Sequence, residues 1–402
     1  MSAGLGIYHD ETEVSYAVDF GRDREPTQKR SRYPEYRRKG SAPARVNGMH
    51  CRRNKRWTWG SGRGARMQNA RAFAGCLAFA VASLAATAFG ITIDYRAITN
   101  PGNAGSTNTN TNGWGAVSQV FRMAATETTN AQYREFLNTV DPNGLNPNGI
   151  YNSQMSSSIN GGITFTSGAA AGAKYGLKTG FDSRPVTFVT WFSAARFANW
   201  LNNGATGTSS METGAYTLNN ATSGPIVARN PGAQVFLPSR DQWYKAAFYD
   251  GSAYKTWGTN SNTTPTNTVT NLSLANAANF GGSPSVGPLA VGSYVNTTSA
   301  YGLYDMVGNL TEMTDTINSG NTSQYQQFSG NWAISTTNIA QWNSSAAARF
   351  AAGTNASDAL GFRVAAVPEP GTIALAGMGI VGLAGLDWMK RRKKRMAARQ
   401  AA

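Results

Sequence analysis

Ala194, Phe197, Ala198 and Leu201 recur at the i, i+3, i+4, i+7 spacing of one helix face, and Thr190 stands where a cap is needed. Two other stretches carry the same signals. Thr129 with Gln132 forms a capping box ahead of Tyr133, Phe136 and Leu137. Ser239 with Gln242, preceded by Pro238, opens a third helix with Trp243, Ala246 and Ala247 on one face. Elsewhere the chain runs in short segments bounded by Gly and Asn, with no long alternating strand to be read. Residues 103–112 and 260–276, crowded with Asn, Thr, Ser and Gly, are loops by composition. The pattern predicts an α+β domain with few helices and many irregular connections. Trp191, Trp200, Trp243, Trp332 and Trp342 are expected in its core, where large aromatic rings are usually covered.

Both ends of the chain read as targeting segments. From Met67, Arg71 supplies a positive region, Ala72 to Ala85 an apolar stretch, and Ala86-Thr87-Ala88 a small-x-small cleavage site. A signal peptide over 67–90 follows, with a mature start near Phe89 to Ile91. The Arg-rich residues 1–66 are unlike any signal n-region and are expected to be disordered or to precede the true start at Met67. At the other end Pro368-Glu369-Pro370 leads into an apolar segment from Gly371 to Leu386 and the run Lys390-Arg391-Arg392-Lys393-Lys394-Arg395. As a helix the apolar segment would be about 24 Å long, slightly short of the roughly 30 Å hydrocarbon core. The cationic run marks the cytoplasmic side, so the preceding domain lies outside. Tripeptide, short apolar anchor helix and basic terminus together, over 367–402, resemble the PEP-CTERM sorting signal of Gram-negative bacteria. That resemblance implies processing by an exosortase and export to the cell envelope or extracellular polysaccharide.

Charge belongs to those ends. The chain is +15 overall, but residues 1–90 hold +9, residues 369–402 hold +5, and the middle holds +1. Nucleic-acid binding needs basic groups clustered on the folded part, and residues 91–368 do not supply them. The two cysteines, Cys51 and Cys76, and the two histidines, His9 and His50, all precede the mature domain. Residues 91–366 therefore hold no thiolate, disulfide or imidazole chemistry. Carboxylates remain as acid/base candidates: Glu127, Asp305, Glu312 and Asp315. A glycosidase would need two of them facing across a cleft.

Landmarks inside the domain fall in a recognisable order. Glu127-Thr128-Thr129-Asn130-Ala131-Gln132-Tyr133 comes first, then Arg184-Pro185-Val186 before Trp191, then Leu237-Pro238-Ser239 with Trp243. Gly302-Leu303-Tyr304-Asp305-Met306-Val307-Gly308-Asn309 and Leu360-Gly361-Phe362-Arg363-Val364 complete the series. From about Met123 to Ala365 this resembles the formylglycine-generating enzyme family, also called the sulfatase-modifying factor family. The resemblance implies a loop-rich variant of the C-type lectin-like fold with bound calcium. Asp305, the carbonyls of Gly308 and Leu310, and the Glu312 carboxylate match one family calcium site, and Asn279 matches one ligand of a second. Calcium is expected to be structural.

Active members bind copper through two cysteines just upstream of the Gly-Phe-Arg segment, since Cu(I) selects sulfur. Here that window is Asn343-Ser344-Ser345-Ala346-Ala347-Ala348-Arg349, without cysteine, so no copper is expected. A histidine-ligated iron centre is likewise not expected. The sequence thus predicts a non-catalytic exported domain that engages exopolysaccharide or an envelope partner. The alternative is an enzyme of the same superfamily with carboxylate- or metal-based chemistry.

Overall fold

A computed structural model describes residues 91–282, 287–347 and 349–368. The signal peptide, Glu369, Pro370 and the apolar anchor segment lie outside those residues. Five α-helices stand among them: α1 (Asn130–Val140), α2 (Gln154–Ser157), α3 (Trp191–Asn202), α4 (Arg240–Phe248) and α5 (Ile339–Asn343). The three predicted helices are α1, α3 and α4, and their caps form as the spacing requires. Gln132 N donates to Thr129 Oγ1 at 3.2 Å while Thr129 N donates to Gln132 Oε1 at 2.9 Å. Ser239 and Gln242 repeat the exchange at 3.2 and 2.9 Å, and Ser193 N donates to Thr190 Oγ1 at 3.1 Å. Each cap satisfies an N–H that the helix cannot, worth about 1 kcal/mol.

Helix α3 is buried from Trp191 through Trp200, as expected of a helix apolar on most of its surface. Two of its buried polar side chains, Arg196 and Asn199, organise the long irregular chain that follows. Arg196 forks onto Glu212, with Nε to Oε1 at 2.6 Å and Nη2 to Oε2 at 3.2 Å. Asn199 donates to the carbonyls of Met211 and Tyr216 and accepts from Tyr216 N at 2.7 Å. Asparagine is used this way throughout: short amides replace the ladder hydrogen bonds that loop backbone lacks. The residue also tolerates the left-handed backbone found at Asn146, Asn276 and Asn309.

Two four-stranded sheets flank the helices. The first runs in the order β1 (Tyr95–Ile98), β2 (Phe121–Ala124), β12 (Ala365–Ala366), β5 (Val235–Phe236), all antiparallel. The last strand is therefore central, held between a strand from the start of the domain and one from its middle. Strands β3 (Ile163–Phe165) and β4 (Tyr175–Leu177) form a hairpin, and β6 (Thr266–Asn267) pairs in parallel with β7 (Ala277–Ala278). The second sheet runs β10 (Arg349–Ala352), β9 (Asn321–Phe328), β8 (Thr311–Asn318), β11 (Leu360–Gly361), with β11 parallel to β8.

Strands β8 and β9, eight residues each, correct the expectation that no long strand is present. Their sequences, TEMTDTIN and NTSQYQQF, do not alternate, because the first five residues of β8 are buried on both faces. The core is aromatic. Trp243 stacks on Phe328 at 4.7 Å between ring centroids, and Tyr133, Phe136, Phe197 and Phe362 pack around one another between α1, α3 and the last turn of chain. Trp191, Trp200, Trp243 and Trp332 are buried as predicted.

Candidate functional site

The glycine-punctuated turn before β8 brings four charged side chains into the core. Asp305, Gly308 and Asn309 all adopt positive φ, at 59°, 75° and 56°. At Gly308 only hydrogen fits, since a Cβ there would run into the Asn279 carbonyl oxygen. The close approach lets Asn309 N donate to Asn279 O at 2.8 Å. The Asn309 side chain then clamps the neighbourhood: its Nδ2 donates to Glu127 Oε1 at 3.0 Å, and its Oδ1 accepts from Leu289 N at 2.9 Å. Asp305 accepts from Gly292 N at 2.6 Å. Glu312, on β8, is fully buried and grips Arg363, also fully buried, through Nε to Oε2 at 2.6 Å and Nη2 to Oε1 at 2.5 Å. Trp243 Nε1 adds a third donor to Glu312 at 2.8 Å.

Three carboxyls thus share one guanidinium, and the imbalance settles on Glu127 and Asp305. Glu127 Oε2 has no donor, and the Glu127 carboxyl lies within hydrogen-bonding reach of Asp305, itself an acceptor. Burial, reinforced by Asp305, pushes the Glu127 carboxyl well up, and burial raises Asp305 too. A proton shared between the two carboxyls would resolve the contact. The linkage sign follows. Carboxyls raised in the folded state stabilise fully below their unfolded values, near pH 4, and that contribution is lost as pH rises through the folded values. Glu127→Gln keeps a donor for Asp305 without a titrating charge. Thermal midpoints between pH 4 and 8 should fall less steeply in this variant than in the wild type. An equally steep fall in both would refute the shared proton.

The predicted calcium ligands do not come together as a cation cage. Glu312 is engaged on both oxygens by Arg363 and Trp243, and Gly308 O accepts from Ser329 Oγ at 3.3 Å. Asn279 is buried, its Nδ2 donating to Gly287 O and Asn309 Oδ1 at 3.1 Å each. Among the described residues no three His, Cys, Asp or Glu side chains are arranged to hold a metal. A calcium ion on the Glu312 carboxylate would have to displace a guanidinium, so the donor set does not fit one. What sequence reasoning missed were the partners of Glu312. Arg363 and Trp243 stood among its landmarks, but only the fold shows that both reach Glu312.

The segment matching the family's copper-binding window opens instead into a neutral cleft. Ser345 N donates to Thr256 O at 2.9 Å, and Ser345 O accepts from Thr111 Oγ1 and Tyr244 OH at 3.0 and 2.9 Å. These bonds pin the window between the loop at 104–111 and the turn after α4. The resulting cavity, about 560 Å³, is walled by 104–108, Tyr249, Tyr254 and Ser345, and no charged side chain lines it. Tyr249 and Tyr254 are half-buried, tilted ring against ring at 5.0 Å. Burial pushes the Tyr254 hydroxyl up, so it stays a neutral donor.

A second, larger cleft of about 800 Å³ lies between residues 116–121 and 228–236 and reaches Val367, next to Pro368. Asp241 and Asp315 line it. Asp315 is raised by burial but tied to Arg229, which comes within 2.6 Å, and to the Tyr216 hydroxyl at 3.0 Å. Arg229 lies over the Phe236 ring at 3.7 Å.

No curated protein matches the chain. Solved structures that resemble it include Treponema denticola variable protein 1, 19% identical over 69% of this chain and 96% of that one, TM-score 0.46. Others are CarF, 19% identical over 69% of this chain and 99% of its own, TM-score 0.44, and PvdO from Pseudomonas aeruginosa, 14% identical over 69% and 93%, TM-score 0.35. Residues 366–393 match the PEP-CTERM protein-sorting motif, which marks an exported protein handled by exosortase-type machinery. Residues 98–367, two thirds of the chain, match the sulfatase-modifying factor enzyme 1-like domain, and the chain belongs to that family.

Proposed function

We propose that this exported domain is a non-catalytic binding module that engages neutral polysaccharide of the cell envelope or extracellular matrix in the Tyr249–Tyr254 cleft. The observation that carries this reading is the exchange at the copper window. The window over 343–349 holds no cysteine, and the cleft that Ser345 lines beside it is walled by hydroxyls, an amide and two tyrosine rings. Aromatic rings present a flat apolar face to the C–H side of a sugar, while other polar groups lining the cleft meet its polar edge. The missing charge disfavours an anionic ligand. The address is compatible with this reading, because the sorting signal marks the domain for export to the envelope.

Co-sedimentation of the processed protein with the producing organism's exopolysaccharide tests the reading. Pelleting is expected with and without chelator, since the cleft is built from segments other than the 305–312 turn. Soluble protein in both conditions would sink the proposal.

A carboxylate hydrolase is the second reading, favoured by one observation: Asp241 and Asp315 line the larger cleft. It ranks lower because Asp315 is neutralised by Arg229. Release of reducing ends from the exopolysaccharide, abolished by Asp315→Asn, would promote it.

A further inference from the structure

We infer that the rim of the larger cleft, around Gln119 and Gln234, is a docking surface for the processing machinery that reads Pro368-Glu369-Pro370. The domain and its sorting signal share chain: the domain match ends at residue 367, and the motif match begins at residue 366. Those residues belong to the first sheet. Strand β12 lies between β2 and β5, with Ala366 opposite both Arg122 and Val235. Val367 extends the hold by one residue, its N donating to Gln234 O at 3.0 Å and its carbonyl accepting from Arg122 Nε at 3.2 Å. Pro368 is exposed and, lacking an N–H, cannot continue the ladder. The tripeptide therefore leaves the folded sheet without a spacer.

Reach sets the consequence. Gly371, where the apolar segment begins, is three residues beyond Pro368, and fully extended chain covers no more than about 11 Å over that stretch. An enzyme closing on so short a stretch must also meet what surrounds Pro368, since a specific interface spans roughly 20–30 residues a side. What surrounds it are the segments 116–121 and 228–236, which wall the cleft together with Val367. Their exposed residues include Ser118, Gln119, Pro231, Gly232 and Gln234, all uncharged, and Asp315 inside the cleft is paired with Arg229. The matching face of the partner is accordingly polar and uncharged.

The test uses the full chain in its producing organism, with pulse-labelling to follow conversion of precursor to processed protein. Gln119→Trp with Gln234→Trp places bulk on exposed positions beside the exit, and should slow conversion at least about tenfold, roughly 1.4 kcal/mol of barrier. A flexible spacer of about ten Gly and Ser residues between Val367 and Pro368, adding roughly 17 Å of mean reach, should restore the normal rate to that variant. Normal conversion of the variant without the spacer would overturn the docking surface, as would a slowing that the spacer does not relieve. A photo-crosslinker at Gln119 identifies the occupant. An adduct shown by mass spectrometry to be the processing enzyme is the expected result, and adducts to lipid or to a second copy alone, or none, would overturn it.

Discussion

Arg363→Met is expected to destabilise the domain by about 3–5 kcal/mol, the range for breaking a buried ion pair from one side. The loss is large because nothing else neutralises Glu312. With the guanidinium gone, Glu312 keeps only the Trp243 indole as a donor, and Glu127 and Asp305 stand close enough to repel it. Arg363 also donates to the carbonyls of Ala124 and Tyr304 at 3.2 and 3.0 Å, which would be left without those partners. Urea unfolding at pH 7 measures the effect. The account makes two further demands: the penalty should shrink below about pH 5, where carboxyls take up protons, and Glu312→Gln added to Arg363→Met should recover part of it. A loss under about 1 kcal/mol would show that the cluster does not hold the turn.

Trp243→Ala should cost a comparable amount, about 3–5 kcal/mol for emptying a large aromatic site in a packed core. The ring is fully buried, stacked nearly parallel on Phe328, and edge-on to Phe248. It also donates to Glu312, so its loss is felt in the charged cluster. Trp243→Phe separates the two contributions. It keeps most of the packing and removes only the donor, and should cost about 1–3 kcal/mol, as for a buried acceptor losing a partner. Equal losses for Phe and Ala would mean that the hydrogen bond, not the packing, dominates.

These predictions rest on contacts that the sequence reveals unevenly. Helix starts were legible because a capping box is a local device, closed within three residues of chain, as Thr129 with Gln132 and Ser239 with Gln242 show. The Gly308 turn was legible because only glycine allows the approach it makes. The buried cluster was not, since Glu312 and Arg363 are 51 residues apart and Asn309 and Glu127 are 182 apart. No spacing rule links such pairs, so the sequence alone does not show that Glu312 is held by Arg363. Strands β8 and β9 were hidden for another reason: β8 begins with five residues buried on both faces, and Thr, Gln and Asn fill both strands, so neither shows the alternation that marks a strand. The cleft is drawn from 104–108, 249–256 and Ser345, and only folding brings those segments together.

The central claim is that ligand sits where the family's copper ligands would be. Hydrogen exchange of the processed protein, alone and loaded with exopolysaccharide, tests it most directly. The account predicts slowed exchange in residues 104–111, 249–256 and 341–347, with the 116–121 and 228–236 segments unchanged. Protection confined to those latter segments, around Asp241 and Asp315, would contradict it and point to the larger cleft instead.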